Sequence, residues 1–285
     1  MGRCYRAELT GVFGCPVDDN PTVVLEEAGF KALGLNYRYL TIEVKDGDLE
    51  TAMRAVRTFS MRGVNLTMPH KVKVLPYLDE LSPAAQIIGA VNTVVNTNGR
   101  LWGENTDGKG FVSSLQDADV SLSDKRVAIL GAGGAARAIA VECALGGAAS
   151  VVIINRNVDR GEELVQLINV KTPATARYIP WQGAVAIPRE TDILIQATNI
   201  GLIPDTGRPD LDYDSLHDGM VACDVVFNPP LTGFLAEAER RGLKTVNGLG
   251  MLVNQGALNF TLWTGEPAPY KIMYDALQAE FKGSL

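Results

Sequence analysis

Gly131, Ala132, Gly133, Gly134 and Ala135 follow an apolar run, Val127 to Leu130, and precede a small-residue stretch of helical character. Residues of these types in this order can hold a pyrophosphate. Gly131 can take a tight turn, and Gly133 has no side chain to keep the backbone from a phosphate. Small Gly134 and Ala136 let the next helix pack closely and aim its free N–H groups at the anion. A second apolar run, Val151 to Ile154, ends on Asn155-Arg156. An Asp or Glu at such a strand end would accept from the 2′-hydroxyl of NAD, and would repel a 2′-phosphate that a guanidinium can hold in a fork. The strand–turn–helix–strand therefore reads as a dinucleotide site that favours NADP, with NAD as the alternative. The plain alternative for Arg156 is a solvated loop charge.

Four more polar clusters fall at expected strand ends: Asn65 to Lys71, Gly89 to Thr93, Glu104 to Gly108, and Val253 to Gly256. Asn, Thr and Asp are ordinary turn and cap residues, so any one cluster alone describes a loop. Their setting is an alternation of strand and helix signals, which predicts a parallel α/β architecture. Strands are expected at Leu9 to Phe13, Tyr37 to Val44 and Gly63 to Thr67, with a helix over Thr22 to Leu33 stopped by Gly34. A second helix opens at Asp48 as N-cap, with Leu49, Ala52, Met53 and Val56 on one face. Ser82-Pro83 starts a helix ending near Gly89. Val91 to Asn96 and Arg100 to Glu104 flank an Asn-Gly turn and read as a hairpin.

Beyond Ile154, strands are expected at Asp192 to Ala197, Met220 to Val226 and Thr245-Val246, and helices at Leu252 to Trp263 and Tyr270 to Phe281. With no strands left to pair, the last two helices are expected to pack on the first domain. The resulting expectation is α/β, with an N-terminal βαβ substrate domain over residues 1–107, completed by 251–285, and a Rossmann-type domain over 108–250. The active-site cleft is expected between them.

Composition narrows the function. The 285 residues, 46% of them hydrophobic, can build two cores. A formal charge of −7 leaves no basic stripe for nucleic acid. Cys4, Cys15, Cys143 and Cys223 show no C-x-x-C spacing, and with two histidines they predict reduced thiols and no metal site. No run of 18 apolar residues exists, and the start Met-Gly-Arg-Cys-Tyr-Arg lacks a signal peptide's apolar core and the myristoylation pattern. The expectation is a cytoplasmic enzyme with a small-molecule substrate, no membrane partner, and a monomeric or homodimeric state.

Taken together, the clusters resemble the shikimate dehydrogenase family. Its members carry Asn-Val-Thr-x-Pro-x-Lys, Gly-Ala-Val-Asn-Thr, Asn-Thr-Asp-Gly, Gly-Ala-Gly-Gly-Ala, Asn-Arg-Thr and Gly-Leu-Gly-Met-Leu-Val, and all six have counterparts here, in order, from Asn65 to Val253. The resemblance implies NADP-linked oxidation of a secondary hydroxyl on a cyclohexene carboxylate. It implies Lys71 as the catalytic lysine and Asp107 as its partner, with Thr67, Asn92 and Gln255 on substrate hydroxyls. It also implies that Thr198, Val226, Gly248 and Met251 join the glycine loop, Asn155 and Arg156 around the cofactor. The chemistry agrees, because an alcohol that yields a hydride must also lose its hydroxyl proton, which a lysine of lowered pKa can take. His70 is a competing base, but on an extended segment it should face away from Lys71.

Two departures stand at one end of the implied pocket. Members usually have His-Ser-x-Ser-Pro where this chain has Asp19-Asn20-Pro21-Thr22-Val23, and a tyrosine where it has Phe227. Asn20 and Thr22 still offer donors to a carboxylate; Phe227 does not. The pattern implies a divergent paralogue acting on shikimate, or on quinate or an amino analogue, with a silent NADP-binding regulatory module as the non-enzymatic alternative. Asn157 stands where members have Thr.

Overall fold

The computed structural model describes residues 5–281. Cys4 and most of the N-terminal stretch read for targeting lie outside them, as do residues 282–285 of the expected C-terminal segment. The chain divides into two compact units. One holds residues up to Thr106 with Gln255–Glu280, and the other holds Asp107–Asn254 with Phe281.

The first unit begins β1 (Glu8–Gly14), α1 (Thr22–Ala32), β2 (Tyr37–Glu43), α2 (Leu49–Thr58) and β3 (Gly63–Leu66). It continues α3 (His70–Lys73), β4 (Glu80–Leu81), α4 (Pro83–Ile88), β5 (Thr93–Thr97) and β6 (Arg100–Glu104). The strands lie in the order β2-β1-β3-β5-β6-β4. β1 runs parallel to β2 and β3, whereas β5 is antiparallel to β3 and β6. The sheet is thus mixed. The hairpin expected at the Asn-Gly turn joins β5 to β6, with Asn98 (φ 53°) and Gly99 (φ 90°) as the two positive-φ residues that reverse the chain.

Local signals act as expected at α4, where Ser82 Oγ accepts from Ala85 N at 3.0 Å and Gly89 ends the helix at φ 72°. They fail at Asp48, whose side chain caps nothing; a 3₁₀ turn, Asp46–Asp48, leads into α2 instead. The buried face of α2 still carries Leu49, Met53 and Val56, packed with Phe13, Val64 and Val94.

The division between units falls inside α5 (Thr106–Asp117) and inside α9 (Gly248–Thr264), so α9 begins four residues before its expected start. Within the first unit, Phe260 of α9 stacks on Phe30 at 5.2 Å, and the Trp263 indole N–H donates to Val94 O at 3.0 Å. A side chain at Gly63 would overlap both that indole and that carbonyl. α10 (Tyr270–Phe281) closes the chain and buries Met273 and Leu277.

In the second unit the sequence runs β7 (Arg126–Leu130), α6 (Gly134–Leu145), β8 (Ser150–Asn155), α7 (Val158–Lys171) and β9 (Thr175–Pro180). It continues β10 (Val185–Ala186), β11 (Ile193–Gln196), β12 (Leu211–Asp212), β13 (Val221–Asp224), α8 (Gly233–Arg240) and β14 (Lys244–Val246). Six strands pair in parallel in the order β14-β13-β11-β7-β8-β9, and β10 pairs with β12 apart from them. Numbered within the sheet this is 3-2-1-4-5-6, the Rossmann order, whose direction of winding reverses between β7 and β11. The central strands β7, β8 and β11 read as largely unbroken apolar runs because both faces are covered. Val127 and Ile129 enter one core while Ala128 and Leu130 enter the other.

Candidate active site

In the first unit, hydrogen bonds join the segments that carry the expected substrate residues. His70 N donates to Thr67 O, Val91 N to Lys71 O, and Leu66 N to Asn92 O, each at 2.8 Å. Asn92 is tied to the start of α5: its Oδ1 accepts from Thr106 N at 2.7 Å, and its Nδ2 donates to Thr106 Oγ1 at 3.0 Å. Thr93 and Thr106 both donate to Asn259 Oδ1, at 2.8 and 2.9 Å. That turns the Asn259 NH₂ toward Gln255 Oε1, at 3.2 Å. Gln255 therefore keeps its own NH₂ as a donor without a protein acceptor among the described residues. Asn65 extends the network, donating to Thr93 Oγ1 at 3.1 Å and accepting from Tyr39 Oη at 2.7 Å. Neither Asn65 nor Asn259 was singled out from sequence; the first was visible as the opening Asn of a matched motif, whereas the second has no such signal.

Lys71 is half-buried on α3, a helical turn where an extended segment was expected. His70 opens that turn and is fully buried, its Nε2 2.7 Å from Val44 O. It is held in the core by helix geometry, which corrects the reasoning from strand alternation. Asp107 lies half-buried in the first turn of α5, where helix-end N–H groups favour a carboxylate.

At the start of α1, Asn20 Oδ1 accepts from Thr22 N at 3.0 Å, so its oxygen is committed to the turn. One turn further, Glu26 is wholly buried with both carboxyl oxygens unpartnered. Burial, then the charge of Glu27, pushes its pKa well above the ordinary carboxylate range. The Tyr39 phenol is also raised, first by burial and then by Glu26, while a hydrogen bond with the Thr22 hydroxyl opposes the shift. Glu26 was legible as an acid spaced like the apolar positions Leu25, Gly29 and Phe30.

The second unit gathers the expected cofactor residues. Gly131 turns at φ 109° and donates to Ile154 O at 2.8 Å; a Cβ there would lie 3.0 Å from Ala197 O and from Thr198 Cγ2. Thr198 is thus beside the loop, with Ala132 and Ala135 half-buried within it. Gly133 and Gly134 differ, for both are exposed and a Cβ on either would meet no atom within 4 Å. Gly133 has an ordinary φ of −84° and its helix lacks a side-chain cap. The protein's own packing has no use for these two glycines, but a phosphate at the N-terminus of α6 does, so the loop fits a dinucleotide. A Cβ at Gly248 would lie 2.5 Å from Val226 O, which sets Val226 against the start of α9; Met251, one turn on, is half-buried against the core.

Asn155 Nδ2 donates to Asn157 O at 2.8 Å, and Asn157 Oδ1 accepts from Arg160 N at 2.9 Å as the N-cap of α7. Asn157 therefore fills the capping role open to the Thr it replaces. Arg156 and Arg160, the latter unnoticed in the sequence, are exposed and form no ion pair among the described residues, unlike Arg137, Arg177 and Arg241. Phe227 packs its ring on Phe281, centroids 5.5 Å apart. Among the described residues no cluster of His, Cys, Asp and Glu could hold a metal ion, and Cys15, Cys143 and Cys223 are free thiols.

Profiles of three domains match the chain: the shikimate dehydrogenase substrate binding domain over residues 12–94, shikimate/quinate 5-dehydrogenase over 114–202, and the shikimate 5′-dehydrogenase C-terminal domain over 248–278. A shikimate dehydrogenase (NADP(+)) of Desulforamulus reducens is 43% identical over 98% of this chain and 99% of its own. The chain belongs to the shikimate dehydrogenase family. Two similar solved structures carry different names. The ligand-free 5-ketofructose reductase of Gluconobacter sp. strain CHM43 is 46% identical, with a TM-score of 0.95 over 98% of this chain and 100% of that one. The shikimate 5-dehydrogenase of Thermus thermophilus, in complex with NADP(H) and shikimate, is 35% identical, with a TM-score of 0.84 over 95% and 99%. As a member of the family the chain is an NAD(P)-dependent oxidoreductase acting on a CH–OH group. No helix among the described residues is long and apolar enough to cross a membrane.

A further buried acid holds the cofactor side of the second unit in shape. Asp224 accepts from Val226 N at 2.9 Å and from Thr232 Oγ1 at 2.6 Å, and Gln196, which donates to it, accepts from Thr198 N and Oγ1. Burial raises the Asp224 pKa to about 6 against the pull of these donors. A folded-state pKa above the unfolded one contributes stability at low pH that is lost as pH rises through the folded value, so the loss falls between about pH 4 and 7. Asp224→Asn keeps the shape and an acceptor for Val226 N. Thermal unfolding across that range should show a fall on the order of 2–3 kcal/mol in the native chain that the variant lacks; parallel profiles would contradict the assignment.

Proposed function

We propose that the chain is an NADP-dependent dehydrogenase that interconverts a secondary hydroxyl and a ketone on shikimate or a related cyclic polyol carboxylate: 3-dehydroshikimate + NADPH + H⁺ ⇌ shikimate + NADP⁺. The single observation that carries the reading is the pairing of exposed, sterically unneeded Gly133 and Gly134 with the unpaired Arg156 at the end of the next strand. The family relatives named shikimate dehydrogenase (NADP(+)) support it. A soluble cytoplasmic enzyme acting on a small molecule, as monomer or homodimer, is the setting that fits.

NADP, when bound, supplies the hydride acceptor. Gly131 to Ala135, with Thr198, Val226, Gly248 and Met251, bind it, and Asn155 orders the loop from which Arg156 meets the 2′-phosphate. Thr67, Asn92 and Gln255 orient the substrate hydroxyls; Gln255 does so through the NH₂ that Asn259 leaves to it. Lys71 takes the hydroxyl proton at Nζ in oxidation and returns it in reduction, and Asp107 positions it.

A second reading, a polyhydroxy ketone without a carboxylate, is favoured by two observations. Phe227 has no donor and is engaged with Phe281, and the 5-ketofructose reductase likeness covers 98% of this chain. NADPH oxidation with 3-dehydroshikimate, 3-dehydroquinate and 5-ketofructose decides between the two. Turnover of 3-dehydroshikimate is expected, with a KM raised about tenfold by the lost donor and improved by Phe227→Tyr. A better kcat/KM for 5-ketofructose, untouched by Phe227→Tyr, selects the second reading. Lys71→Met should lower kcat by about 10²–10⁴-fold on the accepted substrate. No NADPH oxidation with any of the three would contradict both readings.

A further inference from the structure

Arg156 does not stand alone at the end of β8. Its Cζ lies 5.1 Å from the centroid of the Trp181 ring, in cation–π range. Trp181 is almost fully buried, 5% exposed, although it directly follows the edge strand β9. Three hydrogen bonds fix it and the loop it serves. Trp181 N donates to Asn155 O at 3.0 Å, the Tyr178 hydroxyl donates to the same carbonyl at 2.7 Å, and the indole N–H donates to Asp210 O at 2.9 Å. The β8–β9 register, with Asn155 opposite Pro180, delivers the ring to that place. A flexible exposed arginine otherwise samples many rotamers, and ordering it costs about as much as one charged contact returns.

We propose that Trp181 is a positioning residue for the 2′-phosphate of NADP: its ring holds one face of the Arg156 guanidinium, leaving the N–H edge to fork the phosphate. The face and edge of a guanidinium are used independently, so stacking does not compete with hydrogen bonding. The role assigned to Trp181 is indirect. The ring acts through Arg156 and thereby sets the preference for the phosphorylated cofactor. The inference rests on the reading of Arg156 as the 2′-phosphate ligand.

The test uses binding rather than turnover, with 2′,5′-ADP and 5′-AMP as probes in isothermal calorimetry on the full chain. Trp181→Leu should weaken 2′,5′-ADP about two- to fivefold and leave 5′-AMP unchanged, and Trp181→Phe, which keeps a ring face, should restore most of the loss. Equal weakening of both probes, or no weakening of 2′,5′-ADP, overturns the inference. Arg156→Ala separates the layers. If it leaves 2′,5′-ADP affinity intact, the 2′-phosphate reading of Arg156 fails; if it weakens binding about tenfold or more while Trp181→Leu does nothing, only the role of Trp181 fails. Should Trp181→Leu not fold, the indole N–H resonance of Trp181, one of three tryptophans in the chain, decides by NMR in the native protein. Saturating 2′,5′-ADP must change it differently from saturating 5′-AMP, and identical changes overturn the inference.

Discussion

An amide oxygen accepts two hydrogen bonds, and Asn259 Oδ1 spends both on the hydroxyls of Thr93 and Thr106. Much of the first unit's chemistry depends on that pair. Each hydroxyl has a single proton, so donation to Asn259 leaves its lone pairs to accept, from Asn65 in one case and Asn92 in the other. The directions propagate outward, to Tyr39 through Asn65 and to Gln255 through the Asn259 NH₂. Thr93, Thr106 and Asn259 are each no more than 1% exposed. In such surroundings a reversed amide would leave several buried groups unpaired, at about 1–3 kcal/mol each. The network thus fixes the donor presented by Gln255 and ties β5, the start of α5 and α9 into one rigid frame.

The second unit solves a different problem with glycine. Gly131 and Gly248 are required by the protein, the first by its positive φ and the second by a carbonyl that would overlap any side chain. Gly133 and Gly134 have open space where a side chain would stand. Around the loop, Gln196 and Asp224 anchor Thr198 and Val226, while Asn157, Tyr178 and Trp181 anchor the Asn155-Arg156 corner. In both places polar side chains hold the backbone in shape.

Long-range pairing separates what the sequence disclosed from what it hid. β7, β8 and β11 were legible because strands covered on both faces carry unbroken apolar runs, and Gly34, Gly89 and Asn98-Gly99 were legible because few residues accept positive φ. The edge strand β9, with Tyr178 and Ile179 only half-buried, has no such run, and the N-terminal turn of α9 was masked by its glycines. The six motifs marked Lys71, Asn92, Asp107 and the glycine loop. Asn259 was hidden among apolar helix residues, because its partners come from β5 and α5, and Trp181 was hidden because only the β8–β9 register brings it to Arg156. Glu26 was visible as an acid at a buried helical spacing, and its meaning depended on Thr22 and Tyr39.

The central claim is that substrate orientation is set by the Asn259-centred network, separately from the cofactor loop. Asn259→Leu removes the shared acceptor while keeping the helix and nearly the volume. Steady-state kinetics on the accepted substrate, beside calorimetric titration with 2′,5′-ADP, tests the claim directly. The network account predicts a loss of kcat/KM of about tenfold or more with nucleotide affinity unchanged; undiminished kcat/KM in a folded variant, or an equal loss of nucleotide affinity, would contradict it.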